Sequence, residues 1–126
     1  MSVILSVKPD NTTDGAHAEA LAATFLERHG LAVLERNFRV RGGEIDLICR
    51  EGKALVFVEV RLRRRGDFGG AAASITASKR RRLVLAAQHY LMRQPDAICR
   101  FDAVLLESLD DAGIEWIRNA FSADDV

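Results

Sequence analysis

The chain has 126 residues, of which 48% are hydrophobic and 29% are charged, a balance typical of one globular domain with a buried core. No apolar run reaches the roughly 18 residues that a membrane span needs, so the composition excludes a membrane-spanning protein and a cytoplasmic location is expected. The two cysteines, Cys49 and Cys99, stand far apart without a nearby histidine, which excludes a disulfide framework and a zinc site.

Hydrophobic periodicity divides the chain into two helices and five strands. The first helix is expected from about Asp14 to His29, because small and apolar residues recur at helical spacing and Gly30 is a natural helix end. A second helix is expected over 76–93, after a loop rich in glycine, alanine and arginine. Strands are predicted over residues 31–40, 44–50, 54–63, 99–106 and 114–118.

The resulting order, α-β-β-β-α-β-β, predicts an α/β fold in which helices pack on a mixed β-sheet. We assign residues 14–121 to a single domain. Residues 1–13 are expected to form a flexible tail, and residues 122–126 are expected to fray.

The second and third strands carry a group of acidic residues. They are expected to form a hairpin around the turn at Glu51 and Gly52, in which Cys49 pairs with Ala54. Period-two alternation places Ile45, Leu47 and Cys49 on one face, and it places three carboxylates together on the other. In this register Glu44 lies opposite Glu59, and Asp46 lies diagonal to Glu59 at roughly 7–8 Å.

Carboxylates placed in this way repel one another unless a cation neutralises them. Oxygen ligands on rigid strands suit Mg²⁺ or Mn²⁺, and such an ion can support phosphodiester hydrolysis. An exposed acidic face with arginine partners would have the same spacing. Glu19 lies beside the apolar stripe of the first helix, from which it can meet water or reach the acidic patch.

The net charge of zero conceals a basic middle. Residues 36–82 carry thirteen Lys and Arg against five Asp and Glu, whereas residues 94–126 carry two against eight. The two densest clusters flank one loop, where they form either a solvated surface or a phosphate-binding rim. Their members are Arg61, Arg63, Arg64, Arg65, Lys79, Arg80, Arg81 and Arg82.

Two segments, GEIDLI at 43–48 and FVEV at 57–60, together resemble the bacterial YraN family. The resemblance extends from Gly15 to Phe121 and includes the closing segment IEWIRNAF. It implies a restriction-endonuclease-like, PD-(D/E)XK fold, similar to that of archaeal-type Holliday junction resolvases.

The resemblance also implies roles for individual residues. Glu19 would be the acid of the first helix, Asp46 the metal-binding aspartate, and Glu59 the glutamate of the E-x-K element. Arg61 stands where that element has lysine. Arginine stays protonated at ordinary pH and cannot act as a general base, but it can bind the scissile phosphate. Lys79 is a candidate substitute, although we favour the interpretation that its amine meets water.

We therefore expect a metal-dependent DNA endonuclease, acting on branched DNA and holding Mg²⁺ or Mn²⁺ between Asp46 and Glu59. Similarity to resolvases further implies a homodimer. A catalytically inactive nucleic-acid-binding module is the alternative that Arg61 favours, and a domain that binds an acidic protein is a third. The DNA backbone would be contacted by Arg63, Arg64, Arg65, Lys79 and Arg80.

Overall fold

The computed structural model of the protein describes residues 9–62, 75–109 and 113–123. Its elements follow the predicted order, so the predicted α/β layout is confirmed. They are α1 (Pro9–Arg28), β1 (Ala32–Val40), β2 (Gly43–Glu51), β3 (Ala54–Leu62), α2 (Ala77–Leu91), β4 (Ile98–Leu106) and β5 (Ile114–Phe121).

Two element boundaries differ from the prediction by three or more residues. Helix α1 begins at Pro9 rather than Asp14 and so extends into the segment predicted as a tail; proline suits a first helical position because its φ is already helical and its missing N–H is not needed there. Strand β5 continues past Arg118 to Phe121, because Phe121 pairs with Phe101 beyond a register shift. At this irregularity Asn119 adopts a φ of 51°, and its backbone N–H donates to Asp102.

The five strands form one mixed sheet in the order β1-β2-β3-β4-β5. The pairs β1–β2, β2–β3 and β4–β5 are antiparallel, whereas β3 and β4 are parallel. A parallel pair needs a crossover connection, and α2 lies within the connection between β3 and β4. No helix of the three described ranges is long and apolar enough to cross a bilayer.

Each helix covers a different cluster of buried residues. The predicted stripe of α1, including Ala18, Ala22 and Leu26, packs with Val56 and Val58 of β3. The stripe of α2 packs against the opposite face of the sheet, with its members Leu83, Ala87 and Tyr90 clustered around Ile48 and Phe57. Burial of an aliphatic or aromatic side chain stabilises a fold by about 1.5–3 kcal/mol, so these clusters fix both helices on the sheet.

Helix α2 lies unusually close to β2 at Gly43. A Cβ at this position would stand 2.5 Å from the carbonyl oxygen of Arg82 and 3.1 Å from the backbone nitrogen of Ala86. Any side chain would therefore push the helix away. Because glycine permits this approach, the first turns of α2, which carry Lys79 and Arg82, stand over the start of β2.

The β2–β3 hairpin has a different register from the predicted one. Ala54 pairs with Glu51, not with Cys49, because the loop contains only Gly52 and Lys53, and Gly52 has the positive φ (60°) that such a short loop requires. The predicted placement of Glu44 opposite Glu59 is thus wrong, since Phe57 pairs with Ile48 and Val58 with Leu47. Continued by one step beyond Leu47 and Val58, the observed register places Asp46 opposite Glu59.

Candidate functional site

The alternation of β2 breaks at Asp46. Leu47 and Cys49 share one face of the sheet, as predicted, and pack on the α1 side. Ile45 was predicted to share that face, but it packs on the α2 side together with Ile48. The regular pairing of β2 with β3 extends to Leu47 and Val58. Just beyond it, the Val60 N–H donates to Asp46 Oδ2 over 2.8 Å, so a carboxylate oxygen serves as acceptor in place of a backbone carbonyl.

Strand β1 has a matching irregularity beside Asp46. Asn37 lies between Arg36, which pairs with Leu47, and Phe38, which pairs with Ile45, and it adopts a φ of 52°. Its side chain lies close enough to the Glu19 carboxyl to favour the ionised form and so to lower the pKa of Glu19. Sequence analysis missed Asn37; its only signal is that asparagine tolerates the left-handed region better than most residues.

Four predicted site residues from four elements form one line of contacts. The Glu19 carboxyl of α1 hydrogen-bonds to the Asp46 carboxyl of β2, and Asp46 in turn hydrogen-bonds to Glu59 of β3. Lys79 of α2 completes the line, with Nζ 3.5 Å from Glu59 Oε2. Asp46 and Glu59 are therefore in direct contact, closer than the predicted diagonal arrangement. We call this line the acidic site.

Burial raises the pKa values of its acids. Burial raises the pKa of Asp46 to about 8, with a further contribution from the negative charge of Glu59. Burial also raises the pKa of Glu19 to about 7, and the charge of Asp46 adds to this. The pKa of Glu59 is raised by burial as well, although Lys79 opposes the change. Near neutral pH the acidic site therefore retains protons, which a bound cation could replace.

The carboxylates fit one of the ways in which proteins hold Mg²⁺. In the part of the chain that the structure describes, no three His, Cys, Asp or Glu side chains are grouped as a ready set of metal ligands. Mg²⁺, however, is commonly bound by one or two carboxylates and completes its shell with water and substrate oxygens. Asp46 and Glu59 supply two such carboxylates, and Glu19 is joined to them through Asp46.

A small crevice opens beside the acidic site. It has a volume of about 150 Å³ and is lined by Glu44, Glu59, Lys79 and Arg82. Arg82 Nη2 lies 3.3 Å from Glu44 Oε1, so two acid–base pairs line the crevice. The Lys79 amine thus points towards the site and pairs with Glu59, while its side chain remains 41% exposed to water. A larger cavity of about 540 Å³, near Arg100 and Phe121, has no acidic residue in its lining.

The remaining predicted basic residues differ in their surroundings. Arg61 Nε is buried and has no hydrogen-bond partner among the described residues, so it is a donor suited to an anion. Arg80 donates from Nε to the Ile75 carbonyl over 3.0 Å, and its guanidinium lies over the ring of Phe121. Arg63, Arg64 and Arg65 lie outside the described residues.

The two cysteines are free and take no part in the site. Cys49 is buried, whereas Cys99 is half-buried. Burial raises the pKa of Cys49 to about 12 and also raises the pKa of Cys99. Both thiols therefore stay protonated at neutral pH, which does not suit a nucleophile.

Comparison with known proteins places the chain in a family. The family model of the uncharacterised protein family UPF0102 matches residues 18–106. A UPF0102 protein of Dechloromonas aromatica is 66% identical over 96% of this chain and 100% of its own length. UPF0102 proteins of Methylobacillus flagellatus and Nitrosomonas europaea are 57% and 56% identical over 86% and 85% of this chain, and 96% and 92% of their own lengths. The resemblance to YraN is confirmed, and the chain belongs to the uncharacterised family UPF0102.

Proposed function

We propose that the protein is a metal-dependent endonuclease that hydrolyses phosphodiester bonds in DNA. The observation that carries this proposal is the contact between the Asp46 and Glu59 carboxyls at the point where the regular β2–β3 pairing ends. Two buried acids held together share a proton at a cost in stability, and the pKa of one of them, here Asp46, is raised by the other. Such an arrangement is typical of sites that bind a cation or perform acid–base chemistry.

The acidic residues have distinct roles in this proposal. Asp46 and Glu59 would hold Mg²⁺ or Mn²⁺, which supplies polarisation of the phosphate and activation of water. The Val60 N–H fixes one oxygen of Asp46, and Glu19 contacts the same carboxyl. Glu19 therefore orients Asp46. The restriction-endonuclease-like architecture that the YraN resemblance implies would use these three acids in the same way.

Basic groups on both sides of the acids would bind the substrate. The unpartnered Nε of Arg61 is available to a phosphate oxygen, and guanidinium groups bind phosphate strongly. Lys79 supplies the amine that position 61 lacks. Its Nζ is 3.5 Å from Glu59 and its side chain is 41% exposed, so it can move to a phosphate oxygen without disturbing the core.

A wider basic rim would hold the rest of the DNA. We assign to it Arg63, Arg64 and Arg65 together with Lys79 and Arg80. Contacts of this kind go to phosphates, so they give affinity and orientation without reading sequence. A branched DNA substrate and a homodimer are proposed from the similarity to resolvases. The inactive binding module is the rival function, and the arginine at position 61 favours it.

A panel of DNA substrates tests the proposal. Purified protein is incubated with duplex, single-stranded, flap and four-way-junction DNAs, with Mg²⁺, with Mn²⁺ or with chelator, and both cleavage and binding are measured. If the protein is an endonuclease, cleavage should require the metal. Salt-sensitive DNA binding without cleavage would instead support the catalytically inactive binding module. Absence of DNA binding would favour a domain that binds an acidic protein.

The first variant to test in this assay is Lys79→Ala. We expect its cleavage rate to fall by about 10²-fold, because the amine that stabilises charge on the phosphate is lost. Thermal stability should change little, since a partly exposed ion pair contributes about 0–1 kcal/mol. Lys53→Ala is the matched control, because Lys53 is an exposed lysine in the β2–β3 loop, outside the basic clusters. Equal activity of the two variants would reduce Lys79 to a structural partner of Glu59.

A further inference from the structure

A planar arginine is held on the surface of the sheet at Arg118. Its guanidinium carbon lies 4.4 Å from the centroid of the Trp116 ring. Its two terminal nitrogens make four contacts of 2.9–3.2 Å with the carboxylate oxygens of Glu51. The two-pronged pairing with a carboxylate and the ring beneath it together fix the plane of the guanidinium.

The tryptophan below it is also fixed. Its indole N–H donates to Asp102 Oδ2 over 3.0 Å, and Asp102 is fully buried. The Trp116 ring stands 6.3 Å from that of Phe25 and 5.9 Å from that of His29, with interplanar angles of 90° and 70°. We call Phe25, His29, Trp116 and Arg118 the stacking surface.

The stacking surface leaves one flat face open. Trp116 covers the inner face of the Arg118 guanidinium, and Glu51 occupies its edge. The Arg118 side chain is nevertheless 48% exposed, which leaves the outer face to solvent. Unpaired bases stack on arginine planes and on aromatic rings. Since the guanidinium is already oriented, little side-chain freedom would be lost on binding.

The Trp116 backbone of the stacking surface lies within two strands of the residue that hydrogen-bonds to Asp46. Val60, whose N–H donates to Asp46, pairs with Val104, and Val104 pairs with Trp116. Adjacent strands are about 4.8 Å apart, so the Trp116 backbone lies about 10 Å from Val60 along the same row of the sheet. Val60 and Trp116 also pack against the same core cluster, on the α1 side.

We propose that the outer face of Arg118 stacks with an unpaired nucleobase of single-stranded DNA. The choice of DNA rests on the proposed function, and this inference extends it by naming the substrate class: a strand with at least one unpaired base. The clamped plane provides the base contact. The guanidinium is held at Glu51, five residues from Asp46 on β2, so the base would lie about 17 Å from the acidic site along the strand.

The chain contains a single tryptophan, so its fluorescence reports on this surface directly. We would titrate the protein in chelator with a single-stranded oligothymidylate and with a blunt duplex of the same length. The single strand is expected to change Trp116 emission and to bind more tightly than the duplex. Binding is measured in parallel by anisotropy of a labelled oligonucleotide, because variants at Arg118 alter the starting fluorescence.

Three variants separate stacking from charge and from folding. Arg118→Ala should weaken single-strand binding about tenfold, and Arg118→Lys should weaken it nearly as much, because lysine keeps the charge but has no planar face. Arg50→Ala, at an exposed arginine of β2, should have little effect. A melting temperature for each variant identifies any loss of fold; if both Arg118 variants unfold, His29→Ala is tested instead and should weaken the same binding.

The result that would overturn the inference is equal binding of single strand and duplex, or full rescue by Arg118→Lys. The assay contains no metal and measures no cleavage, so failure of the nuclease proposal leaves it unaffected. Conversely, metal-dependent cleavage without any response of Trp116 would reject the stacking surface alone.

Discussion

Replacing Asp46 with asparagine is expected to lower the rate of DNA cleavage by more than ~100-fold, since loss of a direct metal ligand should cost more than the 10–100-fold typical of residues that support ligands. Binding of DNA should change little, because affinity comes mainly from phosphate contacts. The substitution is close to isosteric. An asparagine oxygen can still accept from the Val60 N–H, and its amide can donate to Glu59.

The same variant separates metal binding from folding. Without metal, Asp46→Asn should be as stable as the parent or more so, because one of two adjacent buried acids is neutralised. In the parent, Mg²⁺ or Mn²⁺ should raise the melting temperature by mass action, and Asp46→Asn should remove most of this increase. Differential scanning fluorimetry with a series of metal concentrations measures both effects.

A matched control is Asp96→Asn, at an exposed acid between α2 and β4. It should behave as the parent in melting, metal response and cleavage. Suppose instead that metal leaves the melting temperature of the parent unchanged and that the parent cuts no DNA. The metal site would then be withdrawn, and the binding module would become the proposed function.

Much of the fold was readable from local pattern. The apolar stripes of both helices and the alternation of β3 each extend over several turns or pairs, so a single irregular residue does not obscure them. The register of the β2–β3 pair could not be predicted from the sequence, because it depends on the length of the loop between the strands. The two-residue loop at Gly52 and Lys53 shifts the partners by two positions, and that shift brings Asp46 and Glu59 into contact.

The parts of the acidic site that sequence analysis left open depend on contacts between distant segments. Whether Glu19 meets water or Asp46 is decided by where α1 crosses the sheet, which no local pattern encodes. The amine of Lys79 reaches Glu59 because Gly43 lets α2 approach β2 closely. Asn37 was missed for a similar reason, since its contact with Glu19 joins β1 to α1.

The second large effect concerns pH. Without metal, the free energy of unfolding is expected to fall as pH rises from about 4 to about 8. In the folded chain the pKa of Asp46 is about 8 instead of 3.8, and that of Glu19 is about 7 instead of 4.5. In this window the folded protein binds protons that the unfolded chain has released. Stability therefore decreases with pH through the window, and the contribution of these acids is complete only below their ordinary pKa values.

Asp46→Asn provides the comparison that isolates this effect, because it removes the acid whose pKa rises from 3.8 to about 8 and keeps every histidine and surface charge. Its urea-unfolding free energy, measured in chelator at pH 5, 6, 7 and 8, should decline less steeply than that of the parent. Mg²⁺ competes with protons for the carboxylates of the acidic site. Added Mg²⁺ should therefore stabilise the parent more at pH 8, where fewer protons are bound, than at pH 6. Parallel pH profiles for parent and variant would mean that Asp46 is already ionised in the folded protein, and the account of a proton-sharing acidic site would fail.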